Sequence, residues 1–172
     1  MAGSNQLAHR RFREVMGRFC TGIAIVTSHD QIGAVGLTCQ SVTSVSIDPP
    51  LVLFCGGKES KSLPRILCTN RFCINILGDA HHDMALGFAV SGGDKFANGE
   101  WQLSPSGLPQ LEGALAHIEC VVETTYPAGD HYIVVGAVEN VAAEADALPL
   151  LFYRSKFHLV GNALDRPSSA AS

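Results

Sequence analysis

The segment Gly36-Leu-Thr-Cys-Gln-Ser-Val-Thr-Ser-Val-Ser-Ile-Asp-Pro-Pro-Leu-Val-Leu-Phe-Cys55 decides how the chain reads. Its middle, residues 41–47, alternates hydroxyl and apolar side chains, which suits a β-strand with one polar face. Asp48-Pro49-Pro50 cannot continue a central strand, because two prolines donate no ladder hydrogen bonds. Residues 51–55 then resume as a short, continuously apolar strand.

Outward from this segment the same signals repeat. Residues 22–28 form a buried-strand run, and His29-Asp30-Gln31 is a turn leading to a second strand over 32–38, so the pair reads as a hairpin. Residues 72–77 are another strand. Residues 114–126 and 131–142 are long β-type runs joined by Pro127-Ala-Gly-Asp130, and 150–153 and 156–160 close the pattern. Three helices interrupt it. One covers 7–19, with apolar residues Leu7, Phe12, Val15, Met16 and Phe19 near a helical period. One runs from a Ser60 or Ser62 cap to Thr69, with Pro64 in its first turn. One covers 80–90. Residues 91–107 read as a long loop rich in Gly, Ser and Pro, a length that often carries function. There is no internal repeat and no G-x-G-x-x-G. The order of elements predicts an antiparallel barrel rather than a parallel α/β sheet, so any nucleotide must bind without the usual glycine-rich loop.

At 172 residues the chain fits one domain, with a core over about 12–160 and a disordered tail over about 163–172. Its 47% hydrophobic and 16% charged content suits either a large core or an additional covered surface such as a subunit interface. Twelve basic and sixteen acidic side chains give a net charge of -4 with no basic run, which leaves nucleic acid and acidic membranes without an electrostatic footprint. The first ten residues lack an apolar signal core, and no stretch has the roughly 18 apolar residues of a membrane-spanning helix, so the expectation is a soluble, cytoplasmic protein. Six cysteines lie mostly inside apolar runs with no C-x-x-C pair, which reads as reduced, buried thiols and no metal site.

Five groups of residues carry possible chemistry. In the first segment, Thr38, Cys39, Gln40, Ser41, Thr43 and Ser44 offer hydroxyl and N–H groups near strand ends. Such groups suit the edge of a flat heteroaromatic ring, and equally an ordinary solvated strand face. After Cys55, the run Gly56-Gly-Lys-Glu-Ser-Lys-Ser62 places Lys58, Ser60 and Ser62 before a helix. There they suit a phosphate or a simple helix cap. Gly129-Asp130-His131 forms a turn in which Asp130 can orient the His131 imidazole. Tyr153 and Arg154 follow an apolar strand and suit ring stacking or barrel packing. Asp94-Lys95-Phe96 sits in the long loop. Histidines 29, 81, 82, 117 and 158 have no such context and read as structural.

The first segment is similar to a "G-x-T-x-x-S-x-x-S-x-S-x-x-P-P-L" signature of the short-chain NAD(P)H:flavin oxidoreductases, the reductase components of two-component flavin-dependent monooxygenases. The turn Gly129-Asp130-His131, with Gly136 beyond it, resembles their "G-D-H-x-x-x-x-G", and the resemblance spans residues 12–159. It implies a mainly β, antiparallel Greek-key split β-barrel of six strands with a few flanking helices, forming a homodimer. It implies FAD or FMN bound along residues 38–44 and Cys55, with its phosphate at Gly56, Lys58, Ser60 and Ser62. It also implies that Lys95 and Phe96 lie near the flavin across a subunit boundary, and Tyr153 and Arg154 near the nicotinamide. His131 becomes the residue assigned to the reaction, hydride transfer from NADH, or less favourably NADPH, to flavin. Reduced flavin then leaves for a separate oxygenase. Two other classes stay open on the residues alone: a non-catalytic flavin- or haem-binding split barrel, and a pyridoxamine-phosphate oxidase-like enzyme, which would want arginines where residues 56–62 offer serines and lysines.

Overall fold

The structure, a computed structural model, describes residues 2–90, 92–143 and 147–161. The tail expected over about 163–172 lies outside them. The elements in chain order are α1 (Ala2–Met16), β1 (Thr21–Gly22), β2 (Ala24–Asp30), β3 (Gly33–Cys39), β4 (Thr43–Ile47), β5 (Pro50–Gly57), α2 (Ser62–Thr69), β6 (Arg71–Ile76), a 3-10 turn (Asp79–His81), α3 (His82–Ala89), β7 (Trp101–Leu103), β8 (Pro109–Leu111), β9 (Ala116–Ala128), β10 (His131–Ala143), β11 (Leu150–Tyr153) and β12 (Lys156–Leu159).

Seven strands form one antiparallel sheet in the order β3-β2-β6-β9-β10-β5-β4. The six-stranded barrel expected from sequence is therefore one strand short. Strand β4, at one edge, pairs with β5, Asp48 and Pro49 making the turn and Pro50 opening the next strand. A separate sheet, β1-β11-β12, and the ribbon β7-β8 flank it. The ribbon lies partly within the stretch expected to be loop. Its strands have three residues each, too few to show a period.

Strand β2 explains why its sequence is apolar without alternation. Ala24 and Val26 enter one buried cluster with Phe54, Phe72, Ile74 and Val134, while Ile23 and Ile25 enter a second with Leu77, Phe88, Leu111 and Leu150. Both faces of this stretch are covered, so period 2 disappears. Helix α2 closes the first cluster with Leu63 and Ile66, and α3 closes the second with Ala85 and Phe88. Phe54 and Phe72 meet edge-on at 5.2 Å. All six cysteines are free, but Cys20 and Cys68 are exposed and Cys55 is half-buried, so only Cys39, Cys73 and Cys120 match the expected burial. Burial lifts the Cys73 and Cys120 thiols to about 12.

The β2–β3 turn is tied to α2 by one ion pair. Arg65 donates through Nε and a terminal nitrogen to the two carboxylate oxygens of Asp30, each at 2.7 Å. Asp30 Oδ1 also accepts the Ile32 and Gly33 N–H groups. The Arg65 hydrogen bonds hold the Asp30 carboxyl well below its usual value of 3.8. A carboxyl depressed by folding stabilises the fold above its unfolded value and loses that contribution as pH falls through the carboxylate range. Thermal unfolding followed below roughly pH 5 should therefore show a steeper loss of Tm for the native chain than for Asp30→Asn. Parallel curves would remove Asp30 from the acid sensitivity of the fold.

Candidate active site

Strands β3 and β5 are not neighbours in the sheet, yet residues from both border one depression. β4 pairs with β5 only over residues 50–53, so β5 from Phe54 onward has no β4 beside it. A pocket of about 350 Å³ lies at this split. Its walls are Leu37 and Thr38 from β3, Cys55 and Gly56 from β5, Ser60 and Ser62 around the start of α2, and Lys95 and His131. A groove of about 860 Å³ lies beyond Cys55, lined by Phe12 and Met16 of α1, Gln40, Ser41 and Thr43 between β3 and β4, and Leu53 and Phe152. Cys55 lines both.

The small pocket is built from polar groups held by backbone. Ser60 stands just before Lys61, the N-cap of α2, its hydroxyl accepting the Leu63 N–H at 3.2 Å, while its own N–H donates to Gly57 O. Gly56 is buried against α2, where a Cβ would lie 2.7 Å from Leu63 Cδ1. Thr38 donates to Ala85 O at 2.7 Å and so ties β3 to α3. Lys95 Nζ donates to Phe88 O at 2.9 Å and to Gly36 O at 3.3 Å, placing a cation at the carbonyl end of α3. Burial pulls the Lys95 ammonium below its usual value. The turn between β9 and β10 is two residues long, with Gly129 at φ +61°, the glycine-first form that matches strand twist. It is shorter than the four-residue connection read from sequence. It starts β10 at His131, whose Nδ1 meets Asp130 Oδ1 at 2.8 Å. That bond holds the Asp130 carboxyl below its usual range and sets the ring so that Nε2 lies over Gly57, 3.8 Å from where a Cβ would stand.

The structure therefore gathers Thr38, Cys55, Gly56, Ser60, Ser62, Lys95 and His131 in one pocket, and Gln40, Ser41, Thr43 and Cys55 along the adjoining groove. Asp130 joins through His131. Other expected residues lie outside both linings. Cys39 is buried beneath them, Ser44 is exposed on β4, and Lys58 rests its Nζ 5.2 Å from the centre of the Tyr132 ring. Phe96 packs against Phe88 and Trp101. Tyr153 and Arg154 sit at the β11–β12 turn, where Arg154 has φ +51° and Ser155, at φ +60°, lines the groove. The contribution of α1 to the groove has no signal in the sequence, where its apolar residues show only a helical period. Phe12 and Phe19 line the groove and stay 68% and 70% exposed.

A pocket of hydroxyls and amines opening onto an apolar groove fits a ligand with an anionic chain and a flat ring. Residues 16–161 match the flavin reductase like domain. The chain belongs to the flavin reductase family. It is 44% identical to the reductase subunit HsaB of a flavin-dependent monooxygenase from Mycobacterium tuberculosis, over 90% of this chain and 83% of that protein. It is 40% identical to a flavin reductase of Pseudomonas putida, over 85% of this chain and 86% of that protein. Among solved structures, nitrilotriacetate monooxygenase component B from Mycobacterium thermoresistibile superposes with a TM-score of 0.88 at 36% identity, covering 98% and 97% of the two chains. The NADH:FAD oxidoreductase SgcE6 from Streptomyces globisporus, in complex with NAD and FAD fragments, gives 0.83 at 32% identity, covering 95% of each. These structures carry the mainly β split barrel to this chain, although its own main sheet does not close.

Because Gly56 has no room for a side chain, Gly56→Ala should push α2 and Ser60 away from β5. Denaturant unfolding is expected to show a loss of roughly 1–3 kcal/mol. A variant as stable as the native chain would mean that Leu63 yields without moving the helix.

Proposed function

We propose that this chain is a single functional unit that reduces FAD or FMN with NADH and releases reduced flavin to a separate flavin-dependent oxygenase. The observation that carries this reading is the adjacency of the polar pocket and the apolar groove, sharing Cys55. Flavin and nicotinamide supply the hydride chemistry when bound; the chain supplies placement. Ser60, Ser62 and Lys95 hold the flavin phosphate at the start of α2 and the end of α3. Gln40, Ser41 and Thr43 border the ring. His131, oriented by Asp130, holds the nicotinamide through Nε2 and carries the proton on Nδ1 toward the carboxylate. No side chain has to remove a proton during hydride transfer, which agrees with a site that has no catalytic carboxylate pair among its lining residues.

NADH is favoured over NADPH because SgcE6, which resembles this chain over 95% of its length, is an NADH:FAD oxidoreductase. A homodimer and a cytoplasmic location belong to the same proposal. Ile47 is 91% exposed and Val45 49%, alongside Phe12 and Phe19, so apolar surface from α1 and β4 stands open around the groove. A second copy covering it would both bury that surface and finish the wall of the flavin site. No helix among the described residues is long and apolar enough to cross a membrane.

The deciding experiment is NADH oxidation at 340 nm in air, with and without FMN, FAD or riboflavin. Flavin-dependent turnover is expected, whereas flavin fluorescence quenching without turnover would indicate a binding module. His131→Ala should raise KM for NADH at least about tenfold while leaving the flavin Kd within about twofold, since only the nicotinamide loses its anchor. Equal damage to both would remove His131 from that role. Light scattering should give the mass of two chains, and Ile47→Asp should shift it towards one.

A further inference from the structure

The Ser41 hydroxyl is not simply displayed towards the groove. It accepts the Cys55 backbone N–H at 2.9 Å and lies 3.3 Å from Cys55 O. Cys39 Sγ stands 3.2 Å from the same hydroxyl and 3.6 Å from Cys55 O. Three groups, from the end of β3, the β3–β4 connection and β5, thus meet just where β4 leaves β5. Ladder bonds to β4 stop at Leu53, and Cys55 is the residue that divides the small pocket from the groove. An edge peptide at this place needs a partner, and a side chain supplies it.

We propose that Ser41 is a positioning residue: its hydroxyl latches the β3–β4 connection to the Cys55 peptide and fixes the width of the split that the polar pocket and apolar groove share. This differs from a serine whose main task is to touch the flavin ring, although its consequence for turnover rests on the reductase reading above. A hydroxyl already accepting from Cys55 N–H has its proton left to donate to Cys55 O or the Cys39 sulfur. The hydroxyl thus joins the Cys55 N–H to either Cys55 O or the Cys39 sulfur, and Thr can replace Ser where Ala cannot. The buried Cys39 thiol, raised by desolvation, remains protonated and so stays a neutral member of the contact.

Exposed Cys20 and Cys68 are first replaced by serine, leaving Cys55 as the accessible thiol. In that background Ser41→Ala should speed alkylation of Cys55 by iodoacetamide and raise flavin KM, each about five- to tenfold, the scale of one hydrogen bond, with a smaller effect on kcat. Ser41→Thr should restore both. Weaker flavin binding with unchanged Cys55 alkylation would overturn the latch in favour of direct ring contact, and no change in either would overturn it outright. Hydrogen exchange at the Cys55 amide of the native chain gives a second readout if Ser41→Ala fails to fold: protection supports the latch, and exchange at the rate of an open peptide sinks it. A native chain without NADH oxidation would defeat the reductase reading while leaving the alkylation and exchange tests intact.

Discussion

Strands β3 and β5 approach each other without a shared ladder, and the site depends on that gap. A seven-stranded sheet ordered from β3 to β4 brings its two edges together through the short connection of residues 40–42. Were the edges zipped by backbone bonds, the peptides around Cys55 and Thr38 would be consumed in the ladder and no depression would exist. Instead side chains span the interval. Thr38 reaches α3, Ser41 reaches Cys55, and Lys95 reaches back to Gly36. The opening stays lined with hydrogen-bonding groups while the barrel interior, packed around Phe54 and Phe72, stays dry.

Charge is placed against the average of the chain. The molecule carries a net -4, yet the small pocket collects Lys61 and Lys95, with Glu59 as its acidic member. The start of α2 presents N–H groups to the same space, and Lys95 neutralises the carbonyl end of α3, which would otherwise point negative charge at an incoming anion. The pocket is thus favourable to phosphate through local geometry, with no help from overall charge.

What the sequence made legible was local. The Gly129-Asp130 turn and the break at Pro49-Pro50 follow from the backbone limits of the residues themselves, and the structure places turns at both. The serines at 60 and 62 are readable for the same reason, as capping chemistry acts within three residues. The neighbours of Lys95 were not readable, since Gly36 lies 59 positions earlier and the two meet only after α3 has packed on β3. The commitment of Ser41 to a peptide fourteen residues away is likewise a product of register. The apolar stripe on α1 was visible, but a stripe says only that a helix will be covered, and not by what.

The β11–β12 turn brings a different consequence. Arg154 and Ser155 both occupy the left-handed region, at φ +51° and +60°, where residues with a Cβ are strained by roughly 1–2 kcal/mol each. The Arg154 N–H donates to Gly17 O at 2.8 Å, so the end of α1 is anchored on that strained turn. β1 meanwhile pairs only with β11, outside the seven-stranded sheet. Leu150 of β11, however, sits in the second buried cluster with Leu77 and Phe88, and its N–H donates to Leu77 O, so the hairpin that anchors α1 is itself set into the core. The wall that α1 gives to the groove is therefore held, through one strained turn, by the same cluster that α3 closes.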